Sequence, residues 1–306
     1  MANNSSNKVY EIVTNKIITA LKNGVCPWKI GWQERHYMNR YGKRYSWLNS
    51  ILLYLQGKNS GEFITFEQAK REGGKIRKGT HSAMVTFYTM IEKEVTDPES
   101  GEVTKKSFPY LRYYNVFHID DVEGLEPKHY DVFEHTETEP FALAEETLSA
   151  YLNAVGAPRF YDNEPSQAYY SPTTDAIYVP NKTQFEQLAA YWQTVWHETI
   201  HSTAHKSRLN RTLGKEFGDK DYSREELCAE IGSAFMMQLC GINTDGVLKN
   251  TAAYCDHWVQ RLTEDPRAFA IAAARAEKAA NWVLGDRSQA KKSDGNTEST
   301  KGKKAA

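Results

Sequence analysis

The chain has 306 residues, 40% of them apolar and 12% aromatic, and its 38 Lys and Arg nearly balance 39 Asp and Glu. This composition suits a soluble globular protein with room for two domains, and no apolar run is long enough to span a bilayer. The polar opening Met1–Ser6 lacks the hydrophobic segment of an export signal, and Cys26, Cys228, Cys240 and Cys255 show no C-x-x-C spacing, so a cytoplasmic protein with reduced thiols and no membrane partner is expected.

The near-neutral total hides an asymmetry. Residues 1–90 carry 14 Lys and Arg against 5 Asp and Glu, residues 287–306 carry 6 against 2, and the stretch between is strongly acidic. The split suggests a basic N-terminal module joined to an acidic one.

Val9, Ile12, Val13, Ile17, Ile18 and Leu21 recur at helical spacing and predict a first helix over about residues 7–23, stopped by Gly24 and Pro27. Aromatics and cations then interleave: Trp28, Lys29, Trp32, Arg35, Tyr37, Arg40, Tyr41, Lys43, Arg44, Tyr45 and Trp47. Aromatic faces stack on unpaired bases while Lys and Arg neutralise phosphates, so the run fits a single-stranded DNA surface, with Lys43 and Arg44 on phosphates and Tyr45 or Trp47 stacking. At least half of the aromatics are expected in the core instead, since Trp is usually buried. A second basic cluster, Lys70, Arg71, Lys75, Arg77 and Lys78, surrounds Gly73-Gly74. It precedes a strand over 83–88, which a strand over 113–119 can pair across a polar insertion at 93–107. Residues 1–125 thus read as a small α+β DNA-binding domain. The acidic, Pro-containing stretch 126–142 reads as a linker to a second domain over 143–286, and the Lys-, Ser-, Gly- and Asn-rich residues 287–306 read as a disordered basic tail.

In the second domain Ala176–Val179 is a candidate strand along which a peptide could lie. Thr183-Gln184-Phe185-Glu186 has a capping-box pattern, and Phe185, Leu188, Ala189, Trp192, Val195, Trp196 and Ile200 follow at helical spacing. The long helix so predicted carries His197-Glu198-Thr199-Ile200-His201 near its end. One turn apart on one face, His197 and His201 can ligate a single metal ion, with Glu198 beside them as general base. Such a site needs a third protein ligand and leaves its fourth position to water. With Ser223 as N-cap, the next helix sets Glu226, Ala229, Glu230 and Ser233 on one face. Glu226 then completes a two-His, one-Glu set, while Glu230 accepts the free ring N–H of a ligating histidine. The competing reading makes Glu226 the capping partner of Ser223 and leaves Glu225 or Glu230 as ligand. Zinc suits these donors, and manganese takes the same set. The chemistry expected is metal-assisted amide hydrolysis of the gluzincin type, with Tyr191, Tyr254, His205 and His257 as unranked oxyanion donors.

Taken whole, residues 8 to 285 resemble the ArdC-type antirestriction proteins. The N-terminal marks are Cys26-Pro27-Trp28, Tyr41-Gly42-Lys43-Arg44-Tyr45-Ser46-Trp47-Leu48-Asn49, Phe63 to Ala69, Gly74 to Thr80 and Tyr114-Asn115-Val116-Phe117. The C-terminal marks are His197 to Leu209 and Glu225 to Gly232. The resemblance implies an N-terminal single-stranded DNA-binding domain and a C-terminal metallopeptidase-like domain, together shielding incoming plasmid or phage DNA from host restriction. A host restriction-related protein is then the expected peptidase substrate; a purely DNA-occluding protein with an idle metal site is the alternative. Ala204 stands where similar proteins tend to have Gly, which leaves the ligand and base positions untouched.

Overall fold

The computed structural model describes residues 2–29, 37–96, 103–129, 139–214, 220–243 and 252–286, so the expected disordered tail, 287–306, lies outside the described residues, as do Trp32 and Arg35. The architecture is α+β, and the chain forms two compact units. One comprises Met1–Thr136 with Leu248–Ala274, the other Glu137–Val247 with Arg275–Ala306.

The first unit opens with α1 (Ala2–Lys22), whose Val9, Val13, Ile17 and Leu21 are buried. A four-stranded sheet follows, ordered β1 (Tyr37–Asn39), β2 (Gly61–Thr65), β5 (Val103–His118) and β4 (Ala83–Thr96). The helices α2 (Trp47–Leu55) and α3 (Phe66–Arg71) flank β2 in sequence, and a small ladder pairs β3 (Lys75–Ile76) with β6 (Val122–Glu123). Periodicity marked only the ends of the β4–β5 hairpin. Its register runs from Ala83↔Val116 to Thr96↔Val103, so the described parts of the stretch expected as a polar insertion, 93–96 and 103–107, are strand. The outer edge of β4 is closed by two side-chain amides of α2 and the residue after it. Asn49 exchanges hydrogen bonds with the backbone N–H and C=O of Thr86 (both 2.7 Å), and Gln56 does the same for Met84 (2.9 and 3.0 Å).

Residues 248–274, which sequence places in the second domain, cluster in space with the first unit. They comprise α7 (Ala252–Glu264) and the start of α8 (Ala268–Val283). They pack on α1 and the segment after it: the Thr14 hydroxyl donates to the Pro266 carbonyl at 2.7 Å, and buried Trp28 lies against Trp258 and Phe269 at 6.0 and 5.6 Å between ring centroids.

The second unit contains α4 (Pro140–Leu152) and a small sheet in the order β7 (Arg159–Tyr161), β9 (Ala176–Tyr178), β8 (Tyr169–Ser171). It also holds α5 (Leu188–Ser202) and α6 (Lys220–Leu239). Two expectations change. The segment read as a peptide-binding strand is β9, which is central and bonded on both sides, so it offers no free edge. The capping signal near residue 183 belongs to a separate 3-10 turn, Lys182–Gln184, capped by Asn181, and α5 starts only at Leu188.

Candidate metal centre and nucleic-acid surface

Helices α5 and α6 meet where side chains are small. Gly232 is buried, and a Cβ there would sit 2.8 Å from Cγ1 of Ile200; Ala229 and Ser233 flank it, and Gln193 donates to the Ser233 hydroxyl at 2.7 Å. This close approach sets the start of α6 beside the end of α5. Two arginines add to the turn bonds on the last carbonyls of α5: Arg211 donates to Ile200 O (3.0 Å) and Arg208 to Ser202 O (2.7 Å). Arg208 is itself held by Asp175 and by the Tyr170 hydroxyl (3.1 Å), which ties the segment after α5 to the small sheet.

Within this frame the structure brings together His197, His201 and Glu226, with one donor atom from each lying within 4.8 Å of the others. The two Nε2 atoms are 3.1 Å apart, and the Glu226 oxygens are 3.6 Å from His197 Nε2 and 3.5 Å from His201 Nε2. Because α6 begins at Lys220, Ser223 is inside the helix and Glu226 is no capping residue. The carboxylate against His201 Nδ1 is Glu225, at 3.3 Å, which sequence offered only as a fallback ligand. Glu225 is almost wholly buried and held bidentately by Arg211 (2.7 and 3.0 Å). Burial works against its charge, but Arg211 and His201 keep its pKa below the usual glutamate value. Glu230 adds its negative charge beside His197.

These contacts define what the donors accept. With Nδ1–H of His201 directed at Glu225, the Nε2 lone pair faces Nε2 of His197 and the Glu226 carboxylate, three donors converging on one point. The surrounding field favours a cation: burial pushes His197 down, yet the bond to Glu226 and the charges of Glu198, Glu230 and Glu226 outweigh it and raise its pKa to about 9. The residues therefore fit a divalent ion bound by two imidazoles and one carboxylate. Glu198, next to His197 in sequence, is largely buried.

The other sequence candidates make contacts of their own. Tyr191 is buried against Phe185 and Trp192, and His205 Nδ1 bonds the Ser207 hydroxyl at 2.7 Å. Tyr254 and His257 belong to the first unit.

In that unit the two basic clusters adjoin: Arg71 of α3 donates to the Tyr41 hydroxyl at 3.2 Å. Lys43, Arg44, Lys75, Arg77 and Lys78 are exposed. Tyr45 and Trp47 are only partly so, and Tyr45 packs its edge on core Phe63. Trp28 and Tyr37 are core. Among the described aromatics of the run the most exposed is Tyr41, at 65%, on a turn fixed by buried Arg40, which pairs with Glu62 and Glu72. Sequence counted Tyr41 in the run without singling it out. A further exposed pair is Phe87 on Tyr114 at 5.5 Å, and Phe87 lies opposite Arg112 in the ladder, a juxtaposition that only the register reveals.

Known proteins match both units. A family described as the N-terminal domain of anti-restriction factor ArdC matches residues 7–117, and one described as zincin-like metallopeptidase matches residues 146–275. The crystal structures of the antirestriction ArdC protein from the R388 plasmid are similar throughout. The metal-free form has a TM-score of 0.64 at 33% identity over 90% of this chain and 96% of that one; the Mn(II)-bound form has 0.66 at 32% over 91% and 98%. The DNA primase TraC of Escherichia coli is 32% identical over 299 residues, 90% of this chain but 27% of the primase, so the chain spans about a quarter of that relative. An uncharacterized Sinorhizobium fredii protein, y4eC, is 26% identical over 94% of both chains.

Proposed function

From the ArdC antirestriction family, to which this chain belongs, and from the geometry of its donors, we infer a protein that binds single-stranded DNA through its first unit and hydrolyses a protein substrate through its second, thereby protecting incoming DNA from host restriction in the cytoplasm of the recipient cell. The observation that carries the hydrolytic half is the set of His197, His201 and Glu226 converging next to Glu198. A purely structural site needs no adjacent base and closes its fourth position with protein.

When bound, a divalent ion, zinc or manganese, would supply an acidified water and polarise the scissile carbonyl. The protein does the rest. Glu225, anchored by Arg211, holds His201 in the tautomer that presents Nε2. Glu226 and His197 complete the donor set. The Glu198 carboxylate takes a proton from the attacking water as the O–C bond forms, and returns it to the amide nitrogen as the C–N bond breaks, leaving a carboxylate and an amine.

The DNA-binding half rests on the exposed cations Lys43, Arg44, Lys75, Arg77 and Lys78 around Tyr41. Phosphate contacts and base stacking carry little sequence information, so binding is expected to prefer single strands irrespective of sequence and to weaken steeply with salt. Fluorescence anisotropy with labelled oligonucleotides, single-stranded and duplex, tests this. Tighter binding of duplex would overturn it.

A further inference from the structure

Amide hydrolysis places negative charge on the carbonyl oxygen in the transition state, and a preorganised donor aimed there is worth a large share of the rate. Of the candidates expected from sequence in the second unit, Tyr191 packs on Phe185 and Trp192, and His205 bonds Ser207. Tyr222 lies nearer the donor set. It precedes Glu226 by one turn on α6, so both side chains project from the same helix face. Its phenol hydrogen-bonds Glu226 and is close enough to Glu198 to feel that charge. The ring is partly open to solvent. Its backbone is fixed from behind: Gly214, at φ 77°, lies so close that a Cβ there would come within 2.5 Å of Tyr222 N and Cα, and the segment leading to Gly214 starts from Arg211, which binds Glu225 and Ile200 O.

We propose that Tyr222 is a further catalytic residue, whose phenol O–H turns from Glu226 to the carbonyl oxygen of the scissile amide as that oxygen becomes anionic. The proposal rests on the peptidase reading. The phenol donates a hydrogen bond and keeps its proton, so the bonds made and broken and the proton carried by Glu198 are unchanged. A donor on the helix that carries a ligand needs little reorganisation to reach the reacting atoms.

The test is binding of an N-phosphoryl dipeptide, whose tetrahedral phosphoryl oxygens imitate the anionic intermediate, to the zinc-loaded full-length chain by calorimetry. Tyr222→Phe should bind it about 10- to 100-fold more weakly than wild type, with metal content and melting temperature unchanged, because one charge-assisted hydrogen bond is removed. Tyr191→Phe should bind like wild type. Equal affinity in wild type and Tyr222→Phe would overturn the assignment. So would loss of metal in Tyr222→Phe, which would make the phenol a support for Glu226 only. Failure of the wild type itself to bind the probe would overturn the peptidase reading, and this inference with it.

Discussion

Gly232 of α6 lies against Ile200 of α5 so closely that a Cβ at position 232 would stand 2.8 Å from Ile200 Cγ1. Ile200 is buried, β-branched and therefore stiff, so it cannot yield cheaply. Gly232→Ala should cost about 1–2 kcal/mol of stability despite the better helix propensity of Ala, since overpacking outweighs it. It should also weaken metal binding by moving Glu226 away from His197. Urea unfolding and chelator competition check both, and adding Ile200→Ala should restore part of the metal affinity.

The ranking of the three glutamates follows from their contacts. Glu226→Gln should lose the most metal, because it removes a donor. Glu225→Gln should come next, by about 10- to 100-fold in affinity, through the orientation of His201. It should also destabilise the fold, because Arg211 keeps a buried charge without its bidentate partner. Glu230→Gln should lose the least. Elemental analysis after dialysis against graded chelator gives the order, and a greater loss with Glu230→Gln would move the assignment.

Asp175 supplies a pH dependence. Burial opposes its charge, but the hydrogen bonds of Arg208 and Tyr170 and the charge of Arg208 hold its pKa below the ordinary aspartate value in the folded chain. A carboxylate depressed in this way contributes stability that is fully present above its unfolded value and lost as pH falls toward and through the folded one. Wild-type stability should therefore drop below about pH 4, and Asp175→Asn should be less stable at neutral pH with a flatter acid limb. Asn is a fair probe because position 175 has φ 47°, a conformation that Asn tolerates. Denaturant midpoints at several pH values measure it; parallel acid limbs would mean that Asp175 has no part in acid unfolding.

For DNA, Tyr41→Ala should weaken single-strand binding by about 1–3 kcal/mol, the usual worth of one stacked base, and more than Tyr45→Ala where the protein stays folded. Lys43→Ala, Arg44→Ala and Arg71→Ala should each reduce the slope of log affinity against log salt by about 0.7, because each takes one cation away from the phosphates. The variants belong in the full-length chain. A fragment ending near residue 125 would lack α7 and leave Trp28 without Trp258 and Phe269.

Much of the site was legible because it is local. His197, Glu198 and His201 need only a helix to share a face, and α5 provides it. Glu226 was readable because small residues follow it at helical spacing. Glu225 and Arg211 were less so: their roles depend on the segment after α5 folding back under α6, and no periodicity encodes that return. The placement of residues 248–274 with the first unit was illegible for a similar reason. An amphipathic helix shows in sequence that it has a partner, and not which one. Tyr41 and Tyr45 look alike in the aromatic run, and only the packing of Tyr45 on Phe63 separates a surface ring from a half-buried one.

The most direct test of hydrolysis as the protective step is the survival of unmethylated DNA entering a restricting recipient that expresses Glu198→Ala, set against wild type, with single-strand affinity and metal content measured on the same proteins. Affinity and metal should be retained while protection falls to the level of cells without the protein. Full protection by Glu198→Ala would contradict the hydrolytic reading and leave occlusion of DNA as the whole activity.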